Sequence, residues 1–385
     1  MTRVGHSHRW RMMVILPSLR IGGLERRAVK LCNTAVARGH HVRLVLGQAG
    51  GPLSSVLQPA VEVVDLGVPV NIVRRGLPRL WRAIRAFRPE VVVGLSNVGN
   101  LYGLPMARLQ RVPAVFSVLG TMAGSETTNR LEVAIFRRMI ALADVIFVNS
   151  QGVLESYEQA VPRLARKIQR IPNSLETSDF PVRDAEIRAR KRAELGLTPD
   201  ERVCITVARL TQAKDHATLL NAVAQLEAAG HRLTYVLVGG GPLRPALEQQ
   251  RQDLGLRSNI HFLDDRDDVV ELLQAADLFV LSSVREGMPN AVMEAMATGL
   301  AVVGTDVPGV RELVQPGRTG WVVPTSDPAA LAGAIIAAIA DPVARAAYGR
   351  AARARVEAEY EHERIMDRYF EVFGGVLERK TARHP

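Results

Sequence analysis

The stretch DLFVLSSVREGMPNAVMEAMATG, residues 277–299, decides the fold of its half of the chain. Its first part, DLFVLSS, is a short apolar run that is typical of a buried parallel strand. Its last part, AVMEAMATG, has helical spacing and stops at a glycine, and Pro289 suits the first helical position because no backbone N–H is needed there. The stretch therefore predicts one strand-and-helix unit of an open α/β sheet, which binds its ligands at the carboxyl ends of the strands.

Two carboxylates, Glu286 and Glu294, stand eight positions apart in this stretch. Helix geometry places Glu294 on the same face as Asn290, at the edge of the apolar core. The backbone N–H groups of Gly287, Met288 and Asn290 would offer fixed donors to an anion or a polar sugar. Either glutamate alone is more typical of a surface charge that complements the helix dipole. The joint pattern of strand, glycine, proline and helix favours a ligand site.

Short apolar strands alternate with longer helical patterns along the chain, which is typical of parallel α/β architecture. A length of 385 residues suits about two domains. The pattern restarts after a break with few apolar residues at 173–192, where we expect the linker between two doubly wound sheets. We predict a first domain over residues 1–178, a second over 179–360, and a last helical segment, 361–385, that crosses back to the first domain.

The charge of the chain is distributed unevenly. Residues 1–180 contain 24 Lys or Arg against 11 Asp or Glu, and much of the excess lies in amphipathic-looking stretches at 73–89 and 136–140. Such stretches are either solvated helix faces or a surface that meets anionic lipid head groups or an anionic acceptor. Nucleic acid is not expected as a partner, because aromatic residues make up only 5% of the chain and no recognition motif is present.

Cysteine usage and apolar runs bear on the compartment. Cys32 and Cys204 lie in apolar runs of separate halves and predict neither a disulfide framework nor a metal cluster. No apolar run reaches the ~18–20 residues of a membrane span, and the MMVIL run at 12–16 is too short for a signal sequence. We therefore expect a cytoplasmic protein. Its basic surface would also suit a location at the inner face of the membrane.

Basic and glycine-rich loops follow several of the predicted strands. Arg209 and Lys214 follow the first strand of the second half, where their charges suit two adjacent phosphates or a solvated loop equally well. Gly22 and Gly23 follow the first strand of the chain, and Gly240 lies in the GGGP run of the second half. Glycine in such loops lets the backbone approach a ligand closely, and a plain tight turn is the competing interpretation.

The run DDRDD at 264–268 contains a pair of carboxylates, Asp265 and Asp267, with the spacing of some metal sites. Its place between a strand and a helix favours capping of the helix start, so we predict no catalytic metal. The HExxH, GxSxG, P-loop and GxGxxG patterns are absent from the sequence. A zinc protease, a serine hydrolase and a dinucleotide-dependent oxidoreductase are accordingly disfavoured.

With these motifs in order, the chain resembles the retaining nucleotide-sugar glycosyltransferases of family 4. That family has the GT-B fold, two facing Rossmann-like doubly wound α/β domains with the active site in the cleft between them. The resemblance extends over nearly the whole chain, and the EX7E motif formed by Glu286 and Glu294 is its most specific part. The other matching runs are GGLERR, ADVIFVNS, IPNS, ARL with the following lysine, the GGGP loop and TDVPGVRELV.

The resemblance implies separate roles for the candidate residues. Glu294 would hold the ribose hydroxyls of the donor nucleotide, and Glu286 with the backbone that follows it would hold the donor sugar. Arg209 and Lys214 would bind the diphosphate, which the Gly23 backbone would approach from the other domain. The implied catalytic residues are Glu286, Arg209 and Lys214, and the implied substrate-binding residues are Glu294, Gly287, Met288, Pro289, Asn290, Gly22, Gly23 and Gly240.

The activity implied by the resemblance is a metal-independent and cofactor-independent hexosyl transfer with retained anomeric configuration. The donor would be a UDP- or GDP-sugar, and the acceptor a polysaccharide or a lipid-linked glycan of the cell envelope. A nucleotide-sugar epimerase of the same fold and a non-catalytic sugar-nucleotide binding subunit are the alternatives. One departure concerns the donor sugar: many members carry a histidine after the strand VFSV, where this chain has Gly120 and Thr121. Another is Ser174, which stands where the family commonly has a glycine.

Overall fold

The structure is a computed structural model that describes residues 8–20, 22–68, 75–124 and 129–382, apart from the side chain of Asn97. The predictions made for residues 1–7, for the start of the basic stretch at 73–74 and for 383–385 lie outside the described residues. The chain divides into two compact units, one formed by Met1–Ser174 with Glu363–Pro385 and the other by Leu175–His362.

The first unit is built on a parallel sheet of seven strands within the described residues. Its strands are β1 (Arg11–Leu16), β2 (His41–Leu46), β3 (Glu62–Asp65), β4 (Val91–Leu95), β5 (Ala114–Leu119), β6 (Val145–Val148) and β7 (Ile168–Arg170). Their order is β3-β2-β1-β4-β5-β6-β7, so the direction of winding reverses between β1 and β4. Strand β1 pairs with a neighbour on each side and is apolar and fully buried from Met12 to Leu16, as expected for a strand covered on both faces.

The second unit has a parallel sheet of six strands within the described residues. They are β8 (Val203–Val207), β9 (Thr234–Val238), β10 (Ile260–Leu263), β11 (Leu278–Leu281), β12 (Val302–Thr305) and β13 (Gly320–Val323). Their order is β10-β9-β8-β11-β12-β13, with the reversal between β8 and β11. The predicted fold class, two doubly wound parallel α/β sheets, is confirmed. In such sheets ligands bind at the reversal, beyond the carboxyl ends of the strands.

Helices connect the strands of both sheets. They are α1 (Gly23–Ala37), α2 (Leu77–Phe87), α3 (Ser96–Val98), α4 (Leu104–Leu109), α5 (Arg130–Ile140), α6 (Gln151–Ala160), α7 (Ala185–Glu194), α8 (His216–Ala228), α9 (Arg244–Asp253), α10 (Val269–Ala275), α11 (Asn290–Ala297), α12 (Pro308–Leu313), α13 (Pro328–Ala340), α14 (Pro342–Glu359) and α15 (His362–Thr381). Among the described residues, no single helix is long and apolar enough to cross a membrane. The consecutive pair α13 and α14, which bends by 100°, meets that test only as a pair and by length and composition alone.

The boundary between the units falls after Ser174, at the start of the break expected at 173–192. Helix α7, which begins inside that break and ends two residues after it, already belongs to the second unit. After His362 the chain contributes α15 to the first unit. There Phe373 lies 4.5 Å from Phe116 between ring centroids, and Tyr369 meets Phe147 edge-on at 4.9 Å. Aromatic packing therefore fixes α15 in the core of the first unit.

A buried charge cluster holds α7 in the second unit. Asp277 at the start of β11 has a side chain that is 5% exposed, and it accepts hydrogen bonds of 2.8 Å from both Arg188 and Arg192. The N–H of Val203 donates to the same carboxylate at 2.9 Å. Burial alone would raise the pKa of Asp277, but the charges of these arginines and the Val203 N–H outweigh it and hold that pKa below its ordinary value. The carboxylate thus links α7 to two strands of the sheet.

Candidate functional site

The EX7E stretch forms the predicted strand, loop and helix, with one difference at the proline. Helix α11 begins at Asn290, and Pro289 precedes it in an extended conformation as the N-cap residue. The prediction that Pro289 is the first helical residue is therefore wrong by one position. Its carbonyl accepts the N–H groups of Val292 and Met293 at 3.2 and 3.4 Å, which is what an N-cap residue does. The predicted stop is confirmed, since Gly299 follows the helix with φ of +79°.

Glu286 lies in the loop after β11 and forms an ion pair with Lys214 of the loop after β8. The Glu286 side chain is 10% exposed and that of Lys214 is 23% exposed, so solvent screens the pair only in part. The hydroxyl of Ser283 donates to the same Glu286 oxygen, Oε1, at 2.8 Å. The structure therefore brings together two of the three predicted catalytic residues at the reversal between β8 and β11.

Backbone contacts fix the two loops that carry this pair. The N–H of Val284 donates to the carbonyl of Ala213 at 3.0 Å, and the Ser282 hydroxyl donates to the carbonyl of Lys214 at 3.1 Å. Ser282 and Ser283 are both fully buried. The sequence motifs did not predict a role for these serines, although two adjacent hydroxyls at the carboxyl end of a buried strand indicate a polar site.

Arg209, the third predicted catalytic residue, is exposed at the carboxyl end of β8. Among the described residues, its guanidinium has no hydrogen-bond or ion-pair partner, whereas Lys214 is tied to Glu286. The two basic residues follow the same strand, but only Lys214 takes part in the cluster around Glu286. The assignment of Arg209 to a diphosphate stays a prediction.

Asp215 and His216 follow Lys214 directly. Asp215 has φ of +44°, and its carboxylate accepts the hydroxyl of Thr218 at 2.7 Å at the start of α8. His216 is 2% exposed, and neither ring nitrogen has a partner among the described residues. Burial, with a further contribution from the charge of Lys214, lowers the pKa of His216 to about 4. The imidazole is therefore neutral near pH 7, and nothing in the sequence pattern singled it out.

The glycines of the GGGP loop pack against the chain after β8. Gly239 and Gly241 have φ of +131° and +159°, and a Cβ on either one would lie 2.4 Å from a backbone carbonyl oxygen, that of Ala208 or of Leu210. Close packing and left-handed backbone therefore require glycine at both positions. Gly240, a predicted substrate-binding residue, donates its N–H to Asp265 at 3.0 Å, so a carboxylate of the chain already binds this amide.

This contact corrects the capping role predicted for DDRDD. Asp265 binds the Gly240 amide instead of the helix start, and Asp268, at the N-cap position of α10, makes no side-chain cap bond. Asp268 instead pairs with Arg266 at 2.6 Å and with Lys191 at 2.7 Å, and these contacts, with Arg266 the larger cause, hold the pKa of Asp268 far below its ordinary value. No group of three or more residues suited to hold a metal ion occurs in the described part of the chain.

The second carboxylate of the motif lies where helix geometry predicts. Glu294 is half-buried on α11, and the neighbouring apolar face carries Val292 and Met296, both fully buried. Glu294 is thus at the edge of the core, on the same helix face as Asn290. A role in holding ribose hydroxyls remains a prediction from the resemblance.

The glycine candidates of the first unit lie at the start of α1. Gly22 is the N-cap residue and Gly23, which is exposed, is the first residue of the helix. A Cβ on Gly22 would lie 2.2 Å from the carboxylate of Glu25, but that carboxylate is the end of a flexible side chain and Gly22 has an extended backbone, so neither requires glycine at this position. Leu24 lies near Gly120, the position of the missing histidine, and Asn149 donates to the Gly120 carbonyl at 3.5 Å.

Each half of the chain matches a family model of glycosyltransferases. Residues 21–179 match the family model Glycosyltransferase Family 4, and residues 187–355 match the model Glycosyl transferases group 1. The matches support a family 4-type glycosyltransferase. N-acetyl-alpha-D-glucosaminyl L-malate synthase of Bacillus anthracis is 27% identical over 239 residues, which cover 62% of this chain and 61% of that protein.

A second relative and a solved structure extend the comparison. GDP-mannose-dependent monoacylated alpha-(1-6)-phosphatidylinositol monomannoside mannosyltransferase of Corynebacterium glutamicum is 30% identical over 241 residues, 60% of this chain and 62% of that protein. The chain therefore spans just under two thirds of the length of these two relatives. The structure of Anabaena HepE in complex with UDP and glucose matches with a TM-score of 0.83 at 21% identity, over 95% of this chain and all of the other. That match shows the GT-B fold predicted from the sequence.

Proposed function

We propose that the chain is a retaining glycosyltransferase that moves a sugar from a UDP- or GDP-linked donor to a glycan or lipid-linked glycan acceptor. The observation that carries this proposal is the contact between Lys214 and Glu286 at the reversal of the second sheet. It puts a cation and a hydrogen-bonding carboxylate beside each other at the edge where open α/β sheets bind nucleotides. Lys214 would bind the nucleoside diphosphate while its bond to the sugar breaks, and the sugar would lie against Glu286.

The chemistry asks for stabilisation of a leaving diphosphate more than for a strong base. Lys214 and the exposed Arg209 would supply positive charge to the phosphate oxygens as the bond to the sugar breaks. The departing phosphate oxygen would take the proton of the acceptor hydroxyl on the same face of the sugar. Such a reaction needs no metal and no cofactor, and Glu294 would anchor the ribose from α11.

Features of the first unit support a lipid-linked or anionic acceptor. Helix α5 exposes Leu131 and Ile135, at 68% and 44%, on a helix that also carries Arg137 and Arg138. The Corynebacterium relative acts, by its name, on a phosphatidylinositol mannoside. We propose that α5 and the arginines of α2 meet anionic lipid at the cytoplasmic face of the membrane. Equal flotation of the protein with neutral and anionic vesicles at low salt would contradict this part.

Ligand-induced stabilisation tests the donor class directly. The melting temperature of the protein would be measured with UDP, GDP, ADP and their common sugars, because a ligand that binds the native state raises its stability. We expect one nucleoside diphosphate and its sugar to raise the melting temperature, and nicotinamide dinucleotides to leave it unchanged. A rise with nicotinamide dinucleotides alone would contradict the proposal.

The same samples separate a transferase from an epimerase. Without an acceptor, an epimerase converts the nucleotide sugar into its epimer, whereas a transferase leaves it unchanged apart from slow hydrolysis. NMR of the sugar anomeric proton distinguishes these outcomes. With an acceptor, retention of the anomeric configuration in the product is the expected result, and inversion would contradict the proposed mechanism.

A further inference from the structure

We propose that Glu286 competes with the donor diphosphate for Lys214 and in this way weakens binding of the product nucleoside diphosphate relative to the nucleotide sugar. This inference rests on the proposed function and assigns a role to one contact within the same site. It gives Glu286 a task besides holding the donor sugar.

An incoming diphosphate would meet two opposite charges at this site. Lys214 already has a carboxylate partner, and both side chains are largely shielded from water. An anion that approaches the ammonium therefore meets the negative charge of Glu286 at close range, where screening by solvent is weak. Binding of a diphosphate to Lys214 requires the ammonium to leave Glu286 or to share its hydrogen bonds.

The Lys214 side chain can move, whereas Glu286 and the backbones of the two loops are held in place. The backbones of the two loops are joined by the bond from Val284 to Ala213 and by the bond from Ser282 to Lys214. The Ser283 hydroxyl holds Glu286 Oε1 at 2.8 Å, and the hydroxyl of Thr305, at the end of β12, donates to the Ser283 carbonyl. Ser283 and Thr305 are fully buried. Ser283 thus holds the Glu286 carboxylate in place. When Lys214 exchanges Glu286 for a diphosphate, it is therefore the Lys214 side chain that moves.

The second carboxylate oxygen of Glu286 distinguishes the donor from the product. Both bonds to Glu286 end on Oε1, and Oε2 accepts no hydrogen bond from the described residues. A sugar hydroxyl of the donor could donate to Oε2 and so stabilise Glu286 while Lys214 binds the diphosphate. The product has lost that sugar. Glu286 then recovers Lys214, and the product diphosphate is bound less tightly.

Calorimetric titration of single variants tests the competition. Wild type, Glu286→Gln and Ser283→Ala would be titrated with UDP and with GDP, and with the corresponding monophosphates. Glutamine keeps the size of the side chain but removes its charge. We expect Glu286→Gln to bind the nucleoside diphosphate about three- to tenfold more tightly than wild type, as for loss of a partly buried ion-pair competitor.

Three further readouts mark the proposed role. The affinity for the monophosphate should change less than that for the diphosphate, inhibition of transfer by the product should become stronger, and kcat should fall. Ser283→Ala removes the anchor of the carboxylate and should change the diphosphate affinity in the same direction by a smaller factor. Ser258→Ala is the matched control, because Ser258 is a buried serine of the same unit that contacts Glu227 and lies outside the cluster around Glu286.

The outcomes separate this inference from the proposed function. If wild type binds UDP or GDP but Glu286→Gln binds it equally or more weakly, Glu286 is not a competitor and the inference is overturned. If wild type binds no nucleoside diphosphate, the proposed function fails and the inference fails with it. Should Glu286→Gln not fold, judged by its melting curve against the control, Ser283→Ala decides by the sign of its effect.

Discussion

The carboxyl edges of the two sheets carry different side chains where the strand order reverses. The edge of the second unit, with Lys214 and Glu286, is called the charged edge, and that of the first unit, with Ser96, Asn100 and Asn149, the neutral edge. At the reversal between β8 and β11, Lys214 and Glu286 form an ion pair on a framework of buried serine hydroxyls. At the reversal between β1 and β4, a helix starts at a glycine and Ser96 follows β4 with φ of +61°. In the first unit Asn100 and Asn149 are buried, and each has a side-chain atom without a partner among the described residues.

The difference lies in which groups of each edge have partners. At the charged edge of the second unit, Lys214 and Glu286 are partners of each other before any ligand binds, whereas Arg209 and the buried ring of His216 have no partner among the described residues. The neutral edge of the first unit contains unmet hydrogen-bonding groups, each of which costs about 1–3 kcal/mol, and a strained backbone position of the kind that clusters at functional sites. The charged edge is therefore suited to an anion, and the neutral edge to uncharged polar groups.

The largest effect, on the free energy of unfolding, is expected from the buried charge cluster around Asp277. This cluster lies at the start of β11, and the charged edge lies at the other end of that strand. Asp277→Ala would leave Arg192, whose side chain is 4% exposed, and Arg188 without their buried carboxylate. Breaking such a pair from one side costs about 3–5 kcal/mol. Urea unfolding measures the loss, and Asp267→Ala, which removes an exposed carboxylate of the same unit, should change little. Equal stability of the two variants would contradict the role of the cluster.

The next effect concerns transfer. Lys214→Met removes the cation of the charged edge and should lower kcat roughly 100-fold, as for loss of one electrostatic contact to a developing anion. The affinity for the nucleoside should fall less, because Lys214 is assigned to the phosphates. Rates of sugar transfer and titrations with nucleoside and nucleoside diphosphate measure the two. Arg257→Ala, at an exposed arginine of the same unit, is the control, and wild-type kcat in Lys214→Met would contradict the assignment.

The histidine beside Lys214 gives the charged edge a dependence on pH. The pKa of His216 is lowered to about 4 in the folded state, against an ordinary value of 6.5. Between these values the unfolded chain binds the proton more readily, so this contribution to stability is present above pH 6.5 and is lost as the pH falls towards 4. The loss is on the order of 2–3 kcal/mol.

Unfolding curves across that pH window measure the effect. In His216→Leu the decline between pH 6.5 and pH 4 should be smaller than in wild type, since the variant has no imidazole to protonate. His231→Leu, at an exposed histidine of the same unit, should keep the decline of wild type. Identical curves for wild type and His216→Leu would show that the ring is not the source.

The smallest effect is expected at the neutral edge. Ser96→Gly removes both the left-handed strain of a non-glycine residue and a buried hydroxyl that has no partner among the described residues. The variant should be more stable by about 1 kcal/mol. A rise in melting temperature measures this, and Ser96→Ala, which keeps the strain, should gain less. Destabilisation by glycine would mean that Ser96 is fully satisfied and unstrained.

Local patterns in the sequence predicted much of the charged edge. The apolar run of β11, the helix that carries Glu294 and the stop at Gly299 all follow from periodicity and glycine chemistry. Long-range contacts could not be predicted in this way. Lys214 and Glu286 are 72 positions apart, and only the folded sheet shows that their side chains meet. The hydrogen bond from the Gly240 N–H to Asp265 is a tertiary contact that overrides a local capping preference.

The neutral edge was predicted less well because its signals are tertiary. A single sequence does not indicate which non-glycine residue adopts a positive φ, and nothing in the residues around Ser96 predicts this conformation. The same holds for Asn100, whose unmet amide is apparent only once the serine of β5, Ser117, is seen to donate to its oxygen at 2.8 Å. Sequence patterns show where strands end more readily than whether the groups there are satisfied.

Calorimetric titration of wild type and Glu294→Ala with UDP and GDP tests the central claim most directly, that the carboxyl edge of the second sheet binds a nucleoside diphosphate. We predict that wild type binds one of the two, and that the variant binds it more weakly by about 1–3 kcal/mol, the range for loss of one hydrogen-bonding partner. Binding of neither nucleotide by wild type, or equal affinity in wild type and variant, would contradict the account.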